Sequence, residues 1–155
     1  ASGDFAGHDQ VIQEHLMVPM ALAHQLLRPM IKEKWGRIIN LSSITAHRSK
    51  KGQVNYATAK AGIESFTRSL ALEVAHRGVT VNAIAPGLIE TPMTSPLIRS
   101  FKAKGTNLRK IIPVGRAGDP KDLASMAWYL CSEHGSYITG QTITIDGGRS
   151  LGELT

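Results

Sequence analysis

The chain has 155 residues, of which 42% are hydrophobic and 19% charged, the size and composition of one ordinary globular domain. This apolar content excludes a disordered chain, and the apolar runs are too short and interrupted to span a membrane. The single cysteine, Cys131, excludes a disulfide framework and a cysteine-rich metal site. The six histidines show no metal-binding spacing, so we expect no metal site.

The formal net charge of +6 favours acidic partners such as nucleic acid, a phosphate-bearing cofactor or an acidic carrier protein. The basic residues are scattered, and their two densest groups, 48–51 and 102–110, contain no aromatic residue. Because single-stranded nucleic acid is usually held by aromatic stacking beside basic residues, nucleic-acid binding is the weaker interpretation.

The N-terminal part of the chain predicts a long helix. Apolar residues recur with a helical period on about two faces of 9–34, which predicts a helix buried on more than one side, after a loop over 1–8. Pro19 lies inside this helix and can kink it, and Pro29 marks its last turns.

Two more helices follow. The pattern over 53–76 is helical, and Gly78 is placed to end that helix. Asp119 and Pro120 are typical of an N-cap and a first helical residue. The segment 88–118 contains prolines and little periodicity, which predicts a long, partly helical loop.

Three short apolar runs between these helices predict β-strands, at 37–43, 79–85 and 141–145. This alternation predicts an α/β fold with a doubly wound parallel sheet, its three strands adjacent and in sequential order. A parallel sheet usually has helices packed on both faces and protected edge strands, and three strands are few for such a sheet. The sequence therefore predicts that the chain is the later half of such a domain.

One pair of residues indicates proton-transfer chemistry. Tyr56 and Lys60 are four residues apart on a predicted helix and so project from the same face. A nearby ammonium favours the phenolate form of a tyrosine, which can then exchange a proton with a carbonyl or alcohol oxygen. Ser43 ends the preceding strand. Because ligands collect at the carboxyl ends of parallel strands, we expect Ser43 and the start of the Tyr56 helix on one rim.

These residues occur with further motifs: Ser42-Ser43, Asn82-Ala-Ile-Ala-Pro86-Gly87, Thr91, Thr139-Gly140-Gln141 and Asp146-Gly147-Gly148. The combination resembles the short-chain dehydrogenase/reductase family over about residues 9–150, and within it most resembles the 3-oxoacyl-(acyl-carrier-protein) reductases. The resemblance implies that 1–155 is the C-terminal part of a single Rossmann-like domain, with a substrate lid at 88–118.

The resemblance implies an enzyme that uses a nicotinamide cofactor to reduce a carbonyl, such as that of a 3-oxoacyl thioester, to a hydroxyl. Tyr56 would be the general acid, Lys60 would favour its ionisation and hydrogen-bond the nicotinamide ribose, and Ser43 would bind the substrate oxygen. The alternative is a surface Tyr–Lys pair and a strand-end cap.

The resemblance also implies a cofactor pocket. Pro86, Gly87 and Ile89 would line the nicotinamide pocket, and Thr91 would bind the carboxamide or a phosphate; an ordinary turn is the alternative for Thr91. The cofactor is NADP or NAD, with NADPH favoured by the resemblance alone.

Two departures from the family are visible. Its fourth catalytic position is an asparagine that holds a relay water, and counting back from Gly36 places His15 there. A histidine can donate and accept, so it can hold the water, weaken the relay or have only a structural partner. Second, Gly-x-Gly occurs nowhere in the chain, so the turn that receives the pyrophosphate is not in this sequence. The resemblance implies that Ala1-Ser2-Gly3 is what remains of the turn after the fourth strand of the family's sheet.

Other functions stay open. The protein can be a dehydrogenase of another alcohol, sugar or steroid, a non-catalytic binding or regulatory member of the fold, or a basic module whose DNA binding depends strongly on salt. The preferred interpretation predicts a small-molecule or acyl-thioester substrate, no nucleic-acid or membrane partner, and a cytoplasmic location. Surplus apolar and small residues on helices 9–34 and 53–76 predict a homodimer or homotetramer.

Overall fold

The structure, a computed structural model, describes residues 5–152, so Ala1-Ser2-Gly3 and its interpretation as part of a turn lie outside the described residues. Three strands, β1 (Gly36–Leu41), β2 (Val79–Pro86) and β3 (Thr142–Ile145), form one parallel sheet in the order β1-β2-β3. In this register Ile39 lies beside Asn82, and Ala83 lies beside Thr142. The predicted adjacent, parallel and sequential strands are confirmed.

Helices connect and cover the strands. In chain order they are α1 (Phe5–Ile12), α2 (Val18–Glu33), α3 (Val54–Val74), α4 (Ser95–Ala103), α5 (Leu108–Ile111) and α6 (Pro120–Cys131). A π turn at Gln13–Met17 joins α1 to α2, and a 3-10 turn at Ile44–Ala46 follows β1. Within the described residues, no helix is both long enough and apolar enough to cross a bilayer.

The start of the first helix differs from the prediction. The predicted loop over 1–8 is wrong for residues 5–8, because α1 begins at Phe5. Gly7 is the one glycine in α1, which contains no proline. A glycine in a helix costs about 1 kcal/mol of helix stability relative to alanine. This cost is too small to end a helix that continues from residue 9.

A π turn at Gln13–Met17 lies close before Pro19, where the sequence predicted a kink. Proline has no N–H to bond the carbonyl of His15 four residues earlier, and its ring would collide with that carbonyl in a regular helix. The wider π turn immediately before Pro19 relieves both problems.

The main core lies between α2, α3 and the sheet. The buried residues in this cluster are Ala23, Leu70, Ala71, Val74, Val79 and Val81. Burial of Asn82 inside β2 is offset by hydrogen bonds: its Nδ2 donates to the Ile138 carbonyl at 2.8 Å, and its Oδ1 accepts from the Gln141 amide at 3.0 Å. These bonds hold the segment that leads into β3 against β2.

The predicted helix ends are confirmed in detail. Asp119 caps α6, accepting from the Lys121 amide at 2.8 Å, while Asp122 accepts from the Asp119 amide at 2.7 Å. A 3-10 turn at Ala75–Arg77 extends α3, and Gly78 follows it in the left-handed region with φ of 78°. A Cβ at Gly78 would lie 2.1 Å from the carbonyl oxygen of Lys34.

Gly78→Ala should therefore destabilise the full-length protein by about 2 kcal/mol or more, because left-handed strain adds to a backbone collision. The matched control is Gly52→Ala, where φ is 83° but no atom lies within 4 Å of the new Cβ. Strain alone should cost about 1 kcal/mol there. Urea unfolding measures both variants, and equal losses would contradict the role of the Lys34 contact.

Candidate active site

A lysine and a tyrosine meet at the carboxyl end of β1. Lys60 is buried on α3, and its Nζ donates a hydrogen bond to the carbonyl oxygen of Leu41, the last residue of β1, at 2.7 Å. The same Nζ lies 5.5 Å from the centroid of the Tyr56 ring, one helical turn earlier. The structure thus brings together the pair that the spacing indicated.

Burial lowers the pKa of the Lys60 ammonium. The hydrogen bond to Leu41 uses one of its three N–H groups, which leaves two for a ligand or for the neighbouring phenol. A phenolate formed on Tyr56 during proton transfer would be stabilised by this ammonium.

Ser43 lies two residues beyond the end of β1. Its hydroxyl caps the 3-10 turn, accepting from the Thr45 amide at 3.2 Å and donating to Thr45 Oγ1 at 3.1 Å. Ser43 and Gln53 line a cavity of about 480 Å³ between the end of β1 and the segment 88–118, although Tyr56 is not among its lining residues. The Oε1 atom of Gln53 is buried, with no hydrogen-bond partner in the described part of the chain.

His15 lies against Tyr56. The π turn presents its ring to the tyrosine edge-to-face, with 5.2 Å between the centroids and 88° between the planes. The position obtained by counting back from Gly36 therefore does adjoin the Tyr56 ring. This location is compatible with all three interpretations: a histidine that holds the relay water, one that weakens the relay, and one that has only a structural partner.

The predicted cofactor-pocket residues begin with Pro86, the last residue of β2, and continue beyond the strand. Gly87 donates its amide to the Ile145 carbonyl at 2.9 Å, and a Cβ there would lie 2.6 Å from the Cβ of Asp146, so packing alone requires glycine. The amide of Thr91 donates to Thr94 Oγ1 at 2.9 Å, and the two hydroxyls are 3.1 Å apart. Thr91 therefore has a structural role at the start of α4.

A buried carboxylate beside the site was not among the residues predicted from the sequence. Glu64, one turn after Lys60, accepts a hydrogen bond from Ser42 Oγ at 2.6 Å and pairs with His47 Nε2 at 2.9 Å. Its side chain is 3% exposed, whereas that of His47 is 56% exposed. The sequence feature that could have predicted this carboxylate is its place on the same helix face as Lys60, Ile63 and Thr67. Glu64 links α3 to the strand end that presents Ser43.

The donor set fits part of a nicotinamide cofactor. The two remaining N–H groups of Lys60 suit the hydroxyls of a ribose, and the site lies at the carboxyl edge of the sheet where such ligands bind. No Gly-x-Gly turn for a pyrophosphate occurs in this sequence. The residues present fit the nicotinamide–ribose half of the cofactor.

A family model described as "Enoyl-(Acyl carrier protein) reductase" matches residues 3–150. The chain belongs to the short-chain dehydrogenase/reductase family. It is 46% identical to the 3-oxoacyl-(acyl-carrier-protein) reductase FabG of Aquifex aeolicus over 140 residues, which are 90% of this chain and 55% of that protein. It is 49% identical to the FabG of Chlamydia pneumoniae over 138 residues, 89% of this chain and 54% of that protein.

Solved structures agree with this short-chain dehydrogenase/reductase assignment. A putative gluconate dehydrogenase from Agrobacterium tumefaciens superposes with a TM-score of 0.89 at 31% identity, over 96% of this chain and 58% of that one. Acetoin dehydrogenase YohF from Salmonella typhimurium gives 0.84 at 33% identity, over 98% and 58%. The chain spans about half the length of the curated relatives that it matches.

Proposed function

We propose that the full-length protein is a nicotinamide-dependent oxidoreductase that reduces the carbonyl of a 3-oxoacyl thioester or a similar substrate to a hydroxyl. The observation that carries this proposal is the buried Lys60, which contacts both the end of β1 and the Tyr56 ring. The similarity to two FabG proteins supports the 3-oxoacyl substrate and a place in fatty acid synthesis.

In this proposal the substrate carbonyl lies beside Ser43, whose hydroxyl turns away from Thr45 Oγ1 to donate its one hydrogen bond to the substrate oxygen. Tyr56 transfers its phenolic proton to that oxygen, and the Lys60 ammonium stabilises the phenolate that remains. The bound nicotinamide cofactor supplies the hydride. His15 returns a proton to Tyr56 through a water, and NADPH is the proposed cofactor, with NAD as the alternative.

We further propose that the chain forms part of one domain in which 88–118 is a substrate lid. The segment has its own buried cluster of Leu88, Ile98 and Ile112. Its residues Leu97 and Phe101 line the cavity that contains Ser43. A lid with an independent core can move as a body over the substrate.

A cytoplasmic location is proposed from the family resemblance.

A second candidate is a dehydrogenase of a small hydroxy compound. The two solved structures described above are named as acetoin and gluconate dehydrogenases, and neither name concerns an acyl thioester. The same Ser43, Tyr56 and Lys60 would serve this reaction in the oxidative direction, with Tyr56 accepting the proton.

Tyr56→Phe removes only the transferable proton and should lower turnover of the full-length enzyme at least about 100-fold. Tyr137→Phe is the matched control, because its side chain is fully exposed at 100%. The assay follows oxidation of the reduced nicotinamide cofactor with a 3-oxoacyl thioester. Near-normal turnover of the Tyr56→Phe enzyme would remove Tyr56 from the mechanism.

His15→Ala should slow the reaction if the ring holds the relay water, whereas His15→Asn should retain or improve the rate. A solvent isotope effect on kcat that increases in the alanine variant would identify the slowed step as proton transfer. Unchanged rates in both variants would leave His15 with a packing role.

We also propose a homodimer or homotetramer assembled through α2 and α3. Leu22 and Leu26 are each 53% exposed on one face of α2. The sequence predicts Ala71, a small residue of the 53–76 helix, as an exposed position at this interface. That prediction is wrong, because Ala71 is 3% exposed and packs in the core beneath α3. Exposed apolar side chains one turn apart favour a two-fold interface.

Leu26→Glu should therefore shift the full-length protein towards smaller species in light scattering at micromolar concentration. Met93→Glu is the control, because that side chain is 90% exposed on the segment 88–118. An unchanged mass for Leu26→Glu, or a wild-type monomer, would contradict an interface on α2.

A further inference from the structure

Three basic side chains surround the cavity that contains Ser43. Arg48 and Lys50 come from the loop after the 3-10 turn, and Arg149 follows the Asp146-Gly-Gly turn about a hundred residues later. The Arg48 guanidinium donates a hydrogen bond to the carbonyl oxygen of Arg149, which joins the two segments. The three cations therefore meet because of the fold and not because of sequence proximity.

The cluster places like charges close together. Partial burial lowers the pKa of Lys50, and the nearby Arg149 and Arg48 lower it further. Burial and Arg48 also lower the pKa of Arg149, while Asp146 opposes them. The carboxylate of Asp146 already accepts from the amides of Gly148 at 2.8 Å and Ser150 at 2.6 Å.

The described residues that line the cavity include no aspartate or glutamate. Their other members include an apolar group from the lid, namely Leu97, Phe101 and Ile111. One cavity of about 480 Å³ thus combines the serine of the candidate site, an apolar wall and a positive field. Such a field attracts an anion, and binding of the anion relieves the repulsion between the cations.

We propose that the substrate carries an anionic group, a carboxylate or a phosphate ester, which Lys50 and Arg149 bind while its carbonyl reaches Ser43. Arg48 holds the Arg149 segment in place through its hydrogen bond and adds to the positive field. The proposal rests on the proposed function and narrows its substrate class. A cavity of this volume accommodates one small molecule that carries both groups.

The test compares three 3-oxo esters of equal chain length that end in a methyl ester, a carboxylate or a phosphate monoester. We expect the full-length enzyme to prefer one of the anionic compounds over the neutral one by at least about tenfold in kcat/KM. The kcat/KM values of the carboxylate and the phosphate monoester show which of the two anionic groups the site prefers. The preference should decrease as salt concentration increases.

Lys50→Gln and Arg149→Gln should each reduce this preference about tenfold, mainly through KM, and Lys50→Arg should restore most of it. The matched control is Lys51→Gln, which removes the same charge from an exposed neighbour that does not line the cavity. It should leave the preference unchanged.

Equal use of neutral and anionic esters, with no effect of Lys50→Gln or Arg149→Gln, would overturn this inference and leave the reductase proposal intact. If no ester is reduced, turnover of the 3-oxoacyl thioester decides the reductase proposal, and calorimetric titration with the carboxylate and phosphate compounds lacking the keto group decides the anion site separately. Binding that Lys50→Gln and Arg149→Gln weaken supports the site, and absence of binding overturns it.

Discussion

The candidate site depends on the hydrogen bond from Lys60 Nζ to the Leu41 carbonyl. Both groups lie where the sheet ends, so separating them would leave a buried ammonium without its partner, which costs more than the net contribution of an ordinary hydrogen bond. The bond fixes α3 against β1. Tyr56 lies one turn before Lys60, and Ser43 lies two residues beyond Leu41, so this single contact sets the relative positions of all three groups.

A second link between α3 and the strand end strengthens this arrangement. Glu64 accepts from Ser42, the residue before Ser43, and its other oxygen pairs with His47 beyond the 3-10 turn. A hydrogen bond to a charged group is stronger than a neutral one. Lys60 and Glu64 together hold the tyrosine helix and the serine segment as one unit. The π turn before Pro19 then adds His15 against the Tyr56 ring.

Structural features that depend on residues close together in the sequence were predictable from the sequence pattern. The alternation of strands and helices predicted the parallel sheet, and Asp119-Pro120 predicted the start of α6, because caps depend on a few adjacent residues. The spacing of Tyr56 and Lys60 predicted their shared helix face. The position of Ser43 followed from its place at a strand end.

Features that depend on contacts distant in sequence were not predictable. Burial of Glu64 depends on Ser42 and His47, and burial of Ala71 depends on the strands below α3. Arg149 meets Arg48 only because β3 runs parallel to β1 and β2 and so ends at the same edge of the sheet. Sequence periodicity contains no information about such encounters, since it records only which residues share a face.

The pH–rate profile of the full-length enzyme with Lys60→Met tests directly whether Lys60 organises the site. Methionine fills similar space but supplies neither the ammonium nor the donor to Leu41. We expect a large loss of kcat and a displacement of the profile to higher pH, because the phenolate that forms on Tyr56 loses its neighbouring positive charge. A profile that superimposes on that of the unmodified enzyme would contradict the central role of Lys60.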